Sequence, residues 1–454
     1  MNLQKHLSQL NCYAEIRLQN DKQIGTSLTS LTKDTWDSDD SGISARVFNK
    51  GVWGMAHATR ADENTLQALT NKALSNADIL ADLYAIAKTY SLAKLAFNGY
   101  KLHEEIHPGE RSANKTHLLE AANFFKGYIS KNCPGLDDYY ISAWLSWDEK
   151  MLAVTTGAQL YTLLPKTTLQ VRLTLRGFQL EKSYYAQDDL SFLEAKRDEI
   201  CRDIYSLYEH LRNKTQGIFI DDAYAHCILS PRMASKIIHE ALGHHAEGDF
   251  VLNSFPHSPF VMMPSLHPKV NVIDYANTAF GEKCPLPIYI DDEGVAAQDV
   301  QLIKSGRVSE FMTNRETAYQ LESPLTGNAR AASYKDEPLA RMRNTALLPG
   351  TDSLKEMIAS VDEGYYLVDG ADGDGELNGD FAYQVSIAYR IKNGKLCESV
   401  KDAVVWGDCI NFMRSISMIG NDFEWHMDDC TKLQKINLSA GAPSIKARLS
   451  IGVM

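Results

Sequence analysis

The sequence predicts an α+β protein: a small α/β region at its amino-terminal end, then a β-rich region that carries one buried helix. Three observations carry this expectation. Residues 11–58 and 137–186 alternate as strands do. Two stretches, Asp62 to about Leu83 and Leu190 to Asn213, instead repeat apolar residues at helical spacing. From 224 onward short strand-like runs dominate, and a single helical pattern opens them.

The elements follow in chain order. "GISARVF" and "GVWGMAHA" flank Asn49-Lys50-Gly51, which predicts a hairpin turn. The amphipathic stretch after Asp62 is polar-capped and packs as a helix on those strands. Gly and Pro punctuate a connection near 99–115, after which 116–130 is expected to be helical and 137–186 to form successive strands rich in Tyr, Leu, Val and Thr. The helix from Leu190 places Leu193, Ile200, Ile204 and Leu207 on one face. Beyond 224, "LPIYIDDEG", "EGYYLVDG", "FAYQVSIAYRIKNGK" and "KARLSIGV" are expected strands. The expected domains are therefore 1–115, 116–223 and 224–454.

Composition excludes several classes of function. A formal charge of −12 and a pI near 5.6, with no Lys/Arg cluster, argue against direct nucleic-acid binding. The first residues lack a signal-peptide pattern, and no apolar run reaches the roughly 18 residues a membrane helix needs, so a cytoplasmic protein without a membrane partner is expected. Eight cysteines lie singly, without a C-x-x-C pair, as suits reduced thiols.

The chemistry concentrates in His239 to Asp249, "HEALGHHAEGD". Ser230 is placed to cap a helix whose first residue is Pro231, and Ala234, Ile237, Ile238, Ala241 and Leu242 give it an apolar stripe. His239 and Glu240 thus enter a packed element, where polar groups need partners. In the common zinc-peptidase pattern the second histidine follows the first by four residues; here that position is Gly243 and the histidine is His244. Residues five apart on an α-helix differ by about 140°, too far to share an ion. A π-bulge at Gly243 would close the gap. The alternative is that His239 and His244 are satisfied polar residues near a helix end, with Glu240 in an ordinary ion pair. His245 is expected to sit beside the site rather than to ligate, and Glu247 and Asp249 are candidates to orient ligating imidazoles.

Two other patterns compete. "HEEIH" at 103–107 matches H-E-x-x-H literally, but Pro108 follows at once and biases His107 away from helix, so the match is read as coincidence. The run "DGADGDGELNGD", Asp369 to Asp380, lacks the register of a calcium loop and is expected to be a flexible loop between strands.

Several motifs in order resemble the TldD/PmbA family, also known as modulators of DNA gyrase: "SGISARVFNKGVWGMAHAT", "HEALGHHAEGDF", "IYIDDEGVAAQ", "ARMRNTALLPG", "SISMIGND" and "GAPSIKARLSIGV". The resemblance spans nearly the whole chain and is to the TldD-like metallopeptidase branch. It implies a TldD/PmbA-like fold, His239 and His244 as metal ligands, Glu240 as general base, and Cys430 as the distant third ligand. The family cysteine is usually followed by Gly-Lys, whereas here Thr431-Lys432 follow. Cys409 and His426 are the fallback ligands.

Two imidazoles and a thiolate leave a fourth position for water, the arrangement of a catalytic zinc site, and the N/N/S set favours Zn2+ among divalent ions. The expected function is a metal-dependent peptidase in which Glu240 serves as base. Extended, unfolded or small peptides are the expected substrates, since a β-rich region can pair with a strand; Arg341 and Asn344 are expected to line their channel. The resemblance also implies a homodimer, or a heterodimer with a PmbA-like paralogue. The alternative is a non-catalytic regulator, acting on gyrase or supporting a catalytic paralogue.

Overall fold

The computed structural model describes residues 2–83, 101–105, 115–187 and 190–453. Its first half is built on one seven-stranded sheet in which Tyr13–Leu28 pairs antiparallel with Lys33–Asn49 on one side and with Asp138–Val154 on the other. That second pairing crosses the expected boundary at 115/116. Residues 1–115 and the strands of 116–223 share a sheet, because both edges of a central strand need partners and local periodicity does not say where the second one lies. Val52–Ala58 closes one end of the sheet, while Lys101–Glu105 and Phe178–Ala186 both pair with Gln159–Leu175 at the other.

Local chemistry explains the elements. Lys50 and Gly51 both have positive φ, the primed turn that matches strand twist. The helix Glu63–Leu83 is opened by Asp62, whose Oδ1 accepts the Thr65 N–H at 2.8 Å, and it buries Leu66, Leu69, Ala73 and Ala77 against Ile16, Ile43 and Val47. Helices Lys115–Asn132 and Arg197–Thr215 share a second core, with Phe125 and Ile204 packed among Ile141, Leu169 and Val171. A short helix, Ser191–Ala195, precedes the latter, so the expected helix from Leu190 is broken near Lys196.

Among the described residues the second half contains two large sheets and two two-stranded ones. In one large sheet, Ala223–Leu229 lies between Glu363–Gly375 and Ile445–Val453, and the order continues through Ala403–Asp408 to Asp380–Lys392. Asp380–Lys392 pairs back onto Glu363–Gly375, so the sheet closes on itself. The other large sheet has six strands and ends at Glu424–Lys432, which among the described residues pairs only with Gln434–Ala442. The helix Pro231–Ile238 and the turn His239–Gly243 that continues it are packed between the two large sheets: Ile237, Ile238, Ala241 and Leu242 share a core with Leu367, Val385 and Leu449 of the closed sheet and with Val272, Leu347 and Leu438 of the open one.

One sequence expectation changes here. Asp369–Gly375 is not a loop but the end of a strand, with bulges after Leu367; its partner begins at Asp380, so only a tight turn separates them. The strand tolerates its acidic start because Asp369 is neutralised by Arg232 and Lys236. His103 and Glu104 lie on the strand Lys101–Glu105, not on a helix; Ile106 and His107 lie outside the described residues.

Candidate metal centre

The site begins with the helix that carries it. Ser230 Oγ accepts the Met233 N–H at 3.1 Å and Pro231 takes the first helical position, so Pro231–Ile238 is a regular capped α-helix. It then widens. His239–Gly243 is a π-turn in which the His244 N–H bonds the His239 carbonyl, five residues back. A 3-10 turn, His244–Ala246, ends the segment. Gly243 itself has an ordinary helical φ of −56°; its constraint is space, since a Cβ there would run into the Met342 side chain.

The extra residue brings the imidazoles of His239 and His244 to 4.7 Å between ring centroids. Cys430 arrives from the edge strand, its Sγ 3.1 Å from His244 Nε2. The donor atoms of His239, His244 and Cys430 all lie within 4.8 Å of one another, and among the described residues this is the one group of His, Cys, Asp or Glu side chains that converges so. All three residues are buried. His239 Nδ1 is buried without a hydrogen-bond partner, a costly state that ligation through that nitrogen would explain. Soft sulfur beside two imidazoles fits zinc chemistry.

Glu240 faces the same place, its carboxylate oxygens 3.9 Å from His239 Nε2 and 3.8 Å from His244 Nε2. Burial pushes its carboxyl above the usual range; Asp374 adds to this and His244 opposes it. Burial holds His239 well below its ordinary value, with His244 contributing. For His244 burial is outweighed by Glu247 and Cys430, and its pKa is pushed up to about 10.

Behind the donors is a buried charge network. Glu247, fully buried, accepts His244 Nδ1–H at 3.1 Å, Lys432 Nζ at 2.7 Å and the Met342 N–H at 3.1 Å. Lys432 also donates to Asp249 at 2.7 Å. Glu247 thereby fixes the His244 ring through one nitrogen and turns the other toward Cys430. Residue spacing gave no reason to single out Lys432, although it is two residues from Cys430 and so on the same face of the strand.

The remaining sequence candidates fall elsewhere. His245 is buried against Phe250, and its pKa is lowered to about 4 by burial and by His244. Cys409 opens the helix Cys409–Ser415 and is not part of the cluster. His426 lies four residues before Cys430 and lines the same cavity of about 490 Å³. Arg341 and Asn344, expected along the channel, are fully buried instead. Arg341 donates to the carbonyls of Cys430 at 3.1 Å and Gln434 at 3.0 Å, and so holds the cysteine strand; Asn344 bonds the carbonyls of Tyr275 and Leu286.

Residues 223–452 match the PmbA/TldA metallopeptidase C-terminal domain. The chain belongs to this family of metallopeptidases. Over 449 residues it is 27% identical to a zinc metalloprotease TldD homolog of Saccharolobus solfataricus, covering 97% of this chain and 96% of that one. A metalloprotease TldD homolog of Buchnera aphidicola is 34% identical over 230 residues, 50% of this chain and 47% of that one. TldE from Thermococcus kodakarensis has the same fold, with a TM-score of 0.75 at 14% identity over 99% of both chains. No helix among the described residues of this PmbA/TldD-family chain is long and apolar enough to cross a membrane.

Proposed function

We propose that the chain is a peptidase for extended or unfolded peptides, with a divalent ion, Zn2+ by its donor set, held by His239, His244 and Cys430. The observation that carries this is the convergence of those three donors beside a carboxylate that ligates nothing. When bound there, such an ion would polarise the scissile carbonyl and lower the pKa of a water. Glu240 takes the proton of the attacking water and delivers it to the leaving amine, a task that suits a carboxyl raised toward neutrality.

Substrate shape follows from two unpaired strand edges that border the cavity. Glu424–Lys432 is the outer strand of its sheet, and the parallel partner of Glu363–Gly375 ends at Leu229, opposite Leu367, so beyond that point the strand is paired on one side only. An extended peptide completes such edges with main-chain hydrogen bonds, which folded proteins cannot offer. The unit is a dimer with a second copy or with a PmbA-like paralogue. Its unpaired cysteines suit the cytoplasm.

The test is Glu240→Gln. It should retain stoichiometric zinc and lose hydrolysis of unfolded casein, whereas His239→Ala should lose the metal. Wild-type hydrolysis by Glu240→Gln would refute the base, and zinc retained by His239→Ala would refute the site.

A further inference from the structure

Most charged groups around the metal cavity are already neutralised. Arg232 Nε is shared by both oxygens of Asp369 at 2.9 Å, and Lys236 donates to Asp369 and to the Gly370 carbonyl. Lys432 is held by Glu247 and Asp249, and Asp429 by Lys435 at 2.9 Å. Two carboxylates are left over: among the described residues, neither Asp374 nor Asp428 forms an ion pair.

Their placement is specific. Asp374 lies on the singly paired end of Glu363–Gly375, next to Gly375, where a Cβ would stand 3.1 Å from Glu240 Oε2. Asp428 is two residues before Cys430, on the same face of the edge strand, about one strand repeat of 7 Å from it. The two acidic side chains therefore come from opposite strand edges on either side of the general base, and both act electrostatically on Glu240.

A third group points to a ligand independently. Tyr383 is 7% exposed and lines the cavity, yet among the described residues its hydroxyl has no hydrogen-bond partner. Its ring is fixed against Gly373, the residue opposite it in the ladder, where any Cβ would overlap the ring. The hydroxyl therefore opens to the cavity and is free to bond what the cavity holds.

We propose that this cleft selects peptides with a basic side chain beside the scissile bond, Asp374 and Asp428 receiving the cation while the Tyr383 hydroxyl donates to a substrate carbonyl. The inference rests on the peptide-cleft reading above and adds the substrate's charge. Arg232 and Lys236 are both paired with Asp369, and Arg232 also feels the Asp428 charge, so Asp374 is the less compensated of the two carboxylates.

The experiment is binding, separate from turnover. Zinc-loaded Glu240→Gln protein is titrated with two fluorescein-labelled hexapeptides that differ only in a central Arg or Gln. Arg should bind about tenfold more tightly, one well-placed but solvated charge contact, and the margin should shrink as salt is raised. Adding Asp374→Asn and Asp428→Asn should abolish the margin while zinc stoichiometry stays at the parent's level. Adding Tyr383→Phe instead should weaken both peptides equally, by about threefold to tenfold. Equal binding of the two peptides, a margin that survives the double substitution, or no binding of either overturns the inference. Charge-selective binding by a wild-type protein that cuts neither peptide would sustain it and overturn the peptidase reading.

Discussion

Glu247→Gln isolates the buried network from the chemistry. The substitution keeps the shape of the side chain but removes a charge that faces Lys432, Arg341 and His244 at 2.7, 3.7 and 3.1 Å. One oxygen accepts from His244 and Lys432 and the other from Met342 N–H. Either orientation of an amide therefore sets its NH2 against a donor. Breaking a buried pair of this kind costs about 3–5 kcal/mol. Asp249 still holds Lys432, which places the loss near the lower end. Loss of the groove that orients His244 should also weaken zinc binding by roughly 10- to 100-fold. The pH dependence has a definite sign. Burial works against the Glu247 charge, but Lys432, His244 and Arg341 overcome it and hold the carboxyl well below its usual value of about 4.3. Its stabilisation is fully present above that value and is lost as pH falls below it. The wild-type advantage over Glu247→Gln should be constant from pH 7 to 5 and smaller by about 1 kcal/mol at pH 3.5. Urea unfolding of the metal-stripped proteins across that range, with chelator competition for zinc at pH 7, reads both effects. Equal urea midpoints and equal zinc affinity would refute the reasoning.

Gly243→Ala should cost about 1–3 kcal/mol by overpacking, because its Cβ meets Met342, and adding Met342→Ala should restore part of the loss in thermal unfolding. Arg341→Lys should loosen the cysteine strand, since one ammonium cannot reach the carbonyls of Cys430 and Gln434 as the guanidinium does; zinc affinity should fall by about tenfold or more while circular dichroism is unchanged. Iodoacetamide should modify exposed Cys397 first, and leave Cys227, Cys284 and Cys409, whose thiols burial pushes up to about 12, unmodified until the protein unfolds. Cys430 should become alkylated faster once zinc is removed, and mass spectrometry of tryptic peptides reads every site.

Much of this architecture is legible wherever the signal is local. The turn at Lys50-Gly51, the cap at Ser230 and the irregular turn ahead of His244 each follow from a few adjacent residues and their steric or angular demands. What the sequence hides is tertiary pairing. Nothing near Tyr13–Leu28 says that Asp138–Val154 will lie beside it, so a boundary drawn at 115/116 cuts through a sheet. Arg341 and Asn344 look like exposed recognition residues because they are polar, yet each is buried by satisfying backbone carbonyls, a partnership no spacing rule shows. The glycines of Asp369–Gly375 read as a loop, whereas in the ladder they make room for Tyr383. Cys430 came only through family resemblance, as its helix partner His244 is 186 residues away.

The late histidine has a geometric consequence for the base. In a regular helix His239 and His244 would point apart, and the residues three and four before His244 would share its face. The π-turn lets the fifth residue come back over the first while Glu240, four before His244, stays alongside it. Glu240 consequently lies 3.8 Å from one imidazole and 3.9 Å from the other, placed between the two rings by the same turn that brings them together. The irregularity thus sets the spacing of the two imidazoles and the position of Glu240 together. Its neighbour Met342 follows Arg341, the residue that anchors the Cys430 strand, and donates its N–H to Glu247, which orients His244. One short segment therefore braces the turn, the second imidazole and the thiol at once. A change at Gly243 should then disturb all three donors, whereas a change at Glu240 should disturb only the proton transfer.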